Sequence, residues 1–440
     1  MTSRILIVGG GYVGMYTALR LQRALRRGEA QITVIDADSY MTYQPFLPEA
    51  AAGNLEPRHV VVPLRRVLNR CTILNGWVTR IDTGTRTVEF APHRGRARRL
   101  GYDLLVVAPG SISRTLPVPG LADAGIGFKT VEEAIHLRNH VLAQLDLAAS
   151  TDDPDIRREA LTFVFVGAGF AGVEALAELE DMAHDAIRAY PGLNAGDLRW
   201  MLIEATDRIL PEVGPEMGRW TLEQLRARGI DVRLRTRLES AKDGHIVLDD
   251  GTELDAATLV WTAGVKPHPV VRQGDLPVDD KGRVKATAFL TVEGREGVFT
   301  AGDCAAVPDL TKPGEYCAPN AQHAVRQARV LADNVLAVVR RQPLRQYRHA
   351  YAGSVASLGL HKGVAQIYGQ RLRGPVAWFV HRTYHLSRVP TFNRKVRVLI
   401  DWTLALFFRR DIVALGALTH PRQEFEFAAR EQQASSGASS

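Results

Sequence analysis

The chain has little cysteine. Cys71, Cys304 and Cys317 are the three in 440 residues, and no Cys-x-x-Cys occurs. That argues against a disulfide framework, paired-cysteine metal ligation and a dithiol relay, and it points to a reducing compartment. Long apolar runs are missing too. Nothing reaches the ~20 apolar residues that cross a bilayer, so no transmembrane helix is expected. No signal peptide is expected either, because Arg4 to Val8 already reads as a core strand. Short-period repeats are absent, and the formal charge of +7 is mild for this length and comes with no nucleic-acid motif. Ordinary apolar (46%) and charged (23%) shares leave a globular chain of two or three domains.

What the chain does have is glycine in a pattern. Arg4-Ile-Leu-Ile-Val-Gly-Gly-Gly-Tyr-Val-Gly14 runs an apolar strand into a glycine-rich turn. Leu161-Thr-Phe-Val-Phe-Val-Gly-Ala-Gly-Phe-Ala-Gly172 repeats the event. One such turn is weak evidence, but two predict two bound dinucleotides. Gly9 and Gly167 permit the tight turn, Gly11 and Gly169 let backbone approach a pyrophosphate, and Gly14 and Gly172 let helix pack on strand. The pyrophosphate then meets unpaired N–H groups at a helix N-terminus.

Each copy is followed by a strand ending in an acid, at Asp36 and Glu204. Asp36 falls near the ~20 residues past the last glycine expected for a ribose-binding carboxylate. An acid at Glu204 repels a 2′-phosphate, which favours NADH over NADPH; Arg208 moderates that preference.

Other segments fill in an α/β architecture. Trp77–Asp82 and Thr87–Phe90 read as hairpin strands, and the basic run Arg94–Arg99 as a solvated loop. Tyr102–Val107 and Leu259–Gly264 read as buried strands entering small-residue turns. Strands around Asp249-Asp-Gly251 suggest another hairpin. Val298–Thr300 runs into Ala301-Gly-Asp303, and a helix is expected over Asn320–Arg340. The second unit thus lies inside an interrupted first one. The expected division is 1–118 and 289–348 for the first dinucleotide domain and 119–288 for the second. A C-terminal region over 349–428 and a disordered tail over 429–440 complete it.

The C-terminal region is basic and aromatic. Nine lysines or arginines fall between Arg371 and Arg410, interleaved with Trp378, Phe379, Tyr384, Phe392, Trp402, Phe407 and Phe408. As a helix, Val396, Leu399, Ile400, Thr403, Leu406 and Phe407 fall on one side, and Arg394, Arg397 and Asp401 share another. Such a helix suits a membrane interface, and equally a face covering the protein's own core or a second copy in a homodimer.

At this point the chain resembles a known family. The paired turns, Val106-Val-Ala-Pro-Gly110 and Val298-Phe-Thr-Ala-Gly-Asp303 look like the flavoprotein reductases with two dinucleotide domains. Three segments narrow the likeness to the type II NADH:quinone oxidoreductases: Tyr43-Gln-Pro-Phe-Leu-Pro-Glu49, Gly169-Phe-Ala-Gly-Val-Glu-Ala-Leu-Ala-Glu-Leu179 and Pro319-Asn-Ala-Gln-His-Ala-Val-Arg-Gln327.

The resemblance implies two Rossmann-like domains, the second inserted in the first, plus a C-terminal α/β membrane-facing region. It implies FAD on Gly9, Gly11, Gly14 and Asp36, with the Val78 backbone at the adenine, Gly110 beside the flavin and Asp303 at its ribityl or pyrophosphate portion. NADH would lie on Gly167, Gly169, Gly172 and Glu204, with Gly264 lining the nicotinamide side. Glu174, expected in the first turn of its helix, would sit between nicotinamide, flavin and quinone, and Gln322 at the quinone-facing flavin edge.

The implied activity is hydride transfer from NADH to FAD and two electrons on to menaquinone or ubiquinone, without proton pumping. The implied location is peripheral, on the cytoplasmic face of the cell membrane through residues 371–410. One position departs: many members carry glutamine where this chain has Arg326, which bears on the acceptor. Competing readings are a soluble NAD(P)H-dependent reductase of a small redox protein, a sulfide:quinone reductase, and a non-catalytic NADH sensor docked on membranes.

Overall fold

The computed structural model describes residues 2–349, 353–414 and 425–427. The expected disordered tail lies outside them. Strand β1 (Ser3–Val8) leads through the first glycine turn into helix α1 (Tyr12–Ala24) and back to β2 (Ala30–Asp36). A short helix α2 (Leu47–Ala51) follows, then β3 (Thr72–Asp82), β4 (Thr87–Pro92), β5 (Arg98–Gly101) and β6 (Leu104–Val107).

The chain next builds β7 (Gly125–Gly127), α3 (Val131–Ser150), β8 (Thr162–Val166), α4 (Phe170–Ala186), β9 (Arg199–Glu204), β10 (Asp231–Leu234) and β11 (Thr258–Trp261). It then returns to the first sheet with β12 (Val298–Thr300).

The two largest sheets among the described residues are ordered β12-β6-β1-β2-β3-β4-β5 and β7-β11-β8-β9-β10. β1 pairs in parallel with β2 and β6, and β8 with β9 and β11. β6 and β8 are buried along their whole length, as central parallel strands covered on both faces must be. β12 adds to β6 in parallel, so one sheet is built from both ends of the chain around the other.

The basic run is not wholly a loop. Arg98 and Arg99 belong to β5, which pairs antiparallel with β4. The Arg99 guanidinium bonds Glu89 across the ladder at 3.1 Å, and that of Arg98 lies 5.4 Å from the Phe90 ring centre. These cross-strand pairs let a basic strand persist at a sheet edge.

The C-terminal part begins with α5 (Ala321–Val339), capped by the Asn320 side chain on the His323 N–H. Three antiparallel strands follow, β13 (Gly353–Ser357), β14 (Gly363–Ile367) and β15 (Gln370–Arg373), and then helices α6 (Gly374–Arg388) and α7 (Phe392–Phe407). Among the described residues no helix is long and apolar enough to cross a membrane.

α7 is amphipathic in an unusual sense. It turns Val398, Trp402 and Asp401 toward the protein, where Asp401 Oδ2 lies 2.6 Å from His59 Nδ1. Its other side leaves Leu399, Leu406 and Phe407 at 53%, 70% and 77% exposure. A buried clamp fastens it: Arg382 bonds Glu49 at 2.8 Å, lies between the Trp378 and Trp402 rings, and shares Glu49 with the Trp402 indole N–H.

Candidate active site

The first cradle is shaped by contacts no side chain could share. A Cβ on Gly9 would lie 2.1 Å from the Ala108 carbonyl oxygen, and one on Gly14 1.7 Å from the Gly9 carbonyl oxygen. Gly11 differs, because nothing lies within 4 Å of where its Cβ would be. There the backbone faces open space at the N-terminus of α1.

Asp36, at the end of β2, accepts from the Gly10 N–H with one oxygen and from the Asp38 N–H with the other. Burial pushes its carboxyl up to about 6 despite those bonds. The Tyr12 hydroxyl, at the start of α1, is buried near Asp303, and burial pushes it well above its ordinary range. A part-desolvated acid and an open glycine floor fit the ribose and the pyrophosphate of a dinucleotide.

The second cradle repeats the geometry. A Gly172 Cβ would meet the Gly167 oxygen at 1.9 Å, whereas Gly169 again faces nothing within 4 Å. Glu204 accepts from Ala168 N–H at 2.7 Å and Thr206 N–H at 2.9 Å. Open space also lies above Gly110 and Gly264, both left-handed at φ +73° and +94°. They flank the two ends of one antiparallel ribbon, Ser111–Ser113 against Val265–Pro267, which ties the two units together.

Asp303 lies in the turn after β12 and accepts from Ser111 Oγ at 2.7 Å, and Lys129 Nζ reaches the same hydroxyl at 2.8 Å. Burial lowers the Lys129 ammonium, and Asp303 pulls it partly back. Val78 lies on β3, beyond the Asn75–Asp36 pairing and beside a bulge that turns its strand.

Glu174 is not in the first turn of α4. It is the fifth residue, a full turn in, so the helix dipole does not explain it. Its Oε1 accepts from Ser357 N–H at 2.8 Å, and His381 Nε2 lies 3.3 Å from the same oxygen. Both ring nitrogens of His381 are buried without a hydrogen-bond partner among the described residues.

Gln322 donates to the Gly353 carbonyl at 3.1 Å and lies 3.2 Å from His349 Nε2. Glu174 and Gln322 therefore engage opposite ends of β13, roughly 13 Å apart along the strand. Arg326 turns a guanidinium N–H back to the Gln322 carbonyl at 3.1 Å.

Several polar groups here had no sequence signal. Ser357 Oγ bonds Glu178, which Asn54 also bonds, and the Glu178 carboxyl is pushed up by burial first and by Glu49 second. His385 is held well below its ordinary range by burial and lies 3.1 Å from the Tyr43 hydroxyl. The cysteines take no part: all three are free, and burial pushes the Cys71 thiol up to about 11, Cys304 to about 12 and Cys317 to about 11. A sulfide-oxidising dithiol is not available.

Two dinucleotide cradles on one chain, without a redox cysteine pair, define a two-nucleotide flavoprotein reductase. Residues 3–328 match the pyridine nucleotide-disulphide oxidoreductases. A type II NADH:quinone oxidoreductase of Staphylococcus aureus (strain NCTC 8325 / PS 47) is 30% identical over 388 residues, 86% of this chain and 93% of that protein. A probable NADH dehydrogenase of Dictyostelium discoideum is 28% identical over 417 residues, 93% of this chain and 90% of that one. The structure of NDH2 from Plasmodium falciparum in complex with NADH superposes with a TM-score of 0.86 at 18% identity, covering 94% of this chain and 100% of that one. The chain belongs to the pyridine nucleotide-disulphide oxidoreductases and, within them, to the type II NADH:quinone oxidoreductases.

Proposed function

We propose that the protein oxidises NADH at the second cradle and passes two electrons through FAD in the first to a membrane quinone, menaquinone or ubiquinone, without pumping protons. The observation that carries this is the pair of cradles, each with open space over its middle glycine and a carboxylate at the strand end. Bound FAD supplies the hydride- and electron-accepting chemistry.

The chain's residues bind and orient. Gly9, Gly11, Gly14 and Asp36 hold FAD at its pyrophosphate and ribose, with the Val78 backbone at the adenine, Asp303 at the ribityl side and Gly110 alongside. Gly167, Gly169, Gly172 and Glu204 hold NADH, and Gly264 lines its nicotinamide end. The Glu204 carboxylate repels a 2′-phosphate. Glu174, buried between α4, β13 and α6, lies on the proton path for quinone reduction, and Gln322 positions the acceptor at the far end of β13.

The outward apolar side of α7, with Phe392, Leu406 and Phe407 exposed, supports docking on the cytoplasmic membrane face. Covering of that side by a second copy is the competing use. In quinone-loaded proteoliposomes, NADH consumption should match quinol formed with no change in lumenal pH. Lumenal acidification, or NADH loss without quinol, would contradict the reading.

A further inference from the structure

A groove of about 560 Å³ lies away from both cradles, between the C-terminal half of α1, residues 63–70 and the first turn of α7. Arg23, Arg66, Arg70 and Arg394 line it, and no acid does. Arg70 is occupied, donating to the Gln22 and Leu25 carbonyls. The guanidiniums of Arg23, Arg66 and Arg394 have no ion pair or hydrogen bond among the described residues.

Arg394 is placed against expectation, in the first turn of a 16-residue helix, where the dipole already disfavours a cation. Thr391 caps only the Arg394 N–H, at 3.3 Å. Arg66 and Arg397 add further like charge, and burial and both arginines lower the Arg394 guanidinium. A groove that gathers unpaired cations at a helix N-terminus, two of them solvent-exposed at its wall, suits an anion from outside the chain.

We infer that this groove binds the phosphate of an anionic phospholipid headgroup. The inference rests on the membrane reading above. It extends that reading from an apolar face to a headgroup site shared between the first dinucleotide unit and α7. The phospholipid is favoured over a free phosphate because Phe392, 81% exposed, stands at the rim, on the helix that carries the outward Leu399, Leu406 and Phe407. A headgroup in the groove would place its acyl chains beside that face.

The test is flotation of the holoenzyme with phosphatidylcholine vesicles and with vesicles of equal parts phosphatidylcholine and phosphatidylglycerol. The wild type should favour the anionic vesicles, and R23Q/R66Q/R394Q should lose about 100-fold of that preference while binding neutral vesicles as before. R80Q/R94Q/R96Q, which removes as many charges from the exposed hairpin region, should keep it within about twofold. Equal loss in both triple variants, or none in the first, would overturn the groove assignment.

L399E/F407E separates the two levels, because it should abolish binding to both vesicles. If the wild type floats with neither, the membrane reading fails. The groove is then read from the holoenzyme's unfolding temperature in inorganic phosphate against chloride at equal ionic strength. A phosphate-specific rise that the groove variant loses would assign the groove to a free phosphate compound, and no rise would leave it without an anion; either overturns the phospholipid.

Discussion

The two cradles share a backbone and differ in how they treat the acid at the end of the second strand. In both, the first and third glycines are fixed by contacts of 1.7 to 2.8 Å that a Cβ would make, and the middle glycine opens onto empty space. In the first cradle burial raises Asp36 to about 6, against the pull of its two backbone N–H partners. In the second, Glu204 accepts from two backbone N–H groups just as Asp36 does. The Asp36 carboxyl is penalised by burial in the empty cradle, which suits a cofactor retained once bound.

Replacing the middle glycines should break that comparison most sharply. A valine at either position fills only the space meant for pyrophosphate, so both variants should fold. Gly11→Val should purify colourless, with FAD affinity down by more than about 100-fold, roughly the loss of two or three charge-assisted hydrogen bonds. Gly169→Val should stay yellow yet resist bleaching by NADH while dithionite still bleaches it. A fully loaded, NADH-reducible variant at either position would contradict its assignment.

Next in size is Glu174→Gln. Loss of a proton donor costs about 100-fold in the step it serves, so quinone-driven flavin reoxidation should slow by that order and bleaching by NADH should stay within about twofold. Equal slowing of both steps would remove the proton role and leave Glu174 as a packing residue for β13.

Asp36→Asn sharpens the contrast through pH. A carboxyl raised from its ordinary 3.8 to about 6 binds protons in the fold that the unfolded chain has released. Stability of the flavin-stripped protein should therefore fall as pH rises from about 4 to 6. The asparagine variant should lose this pH dependence in denaturant titrations, and because its amide has one acceptor oxygen it leaves either the Gly10 or the Asp38 N–H unpaired. The same substitution should weaken FAD binding. The smallest effect is expected at Arg326→Gln. Its guanidinium bonds a helix carbonyl near Gln322, so a few-fold change in quinone KM at unaltered bleaching rate is the expected outcome.

These contrasts also mark what sequence could carry. The glycine turns were legible because each glycine answers a contact fixed by the strand-turn-helix backbone itself. Both hairpins, the α5 span and the return of β12 to the first sheet followed from local pattern and turn chemistry. An α/β C-terminal region was implied by the resemblance, but its strands could not be located, because β13 to β15 are short and α6 packs across β13 and β14.

Arg98 and Arg99 read as a loop because their partners, Glu89 and Phe90, lie across a strand pairing. The Glu49–Arg382–Trp402 clamp and the Glu174–Ser357–Glu178 bridge join residues far apart in the chain, and a lone Glu or Arg carries no sign of such a partner. For α7, periodicity found the two faces, whereas the structure turned Asp401 inward and the apolar side outward.

The central claim is that electrons enter through the second cradle and leave from the first to a quinone. Stopped-flow absorbance of the holoenzyme tests it most directly, with NADH first and a short-chain quinone second. The account predicts rapid flavin bleaching on NADH alone, followed by quinone-dependent reoxidation fast enough to support turnover. Rapid bleaching with recovery only at the rate of the oxygen reaction, whatever the quinone concentration, would contradict it.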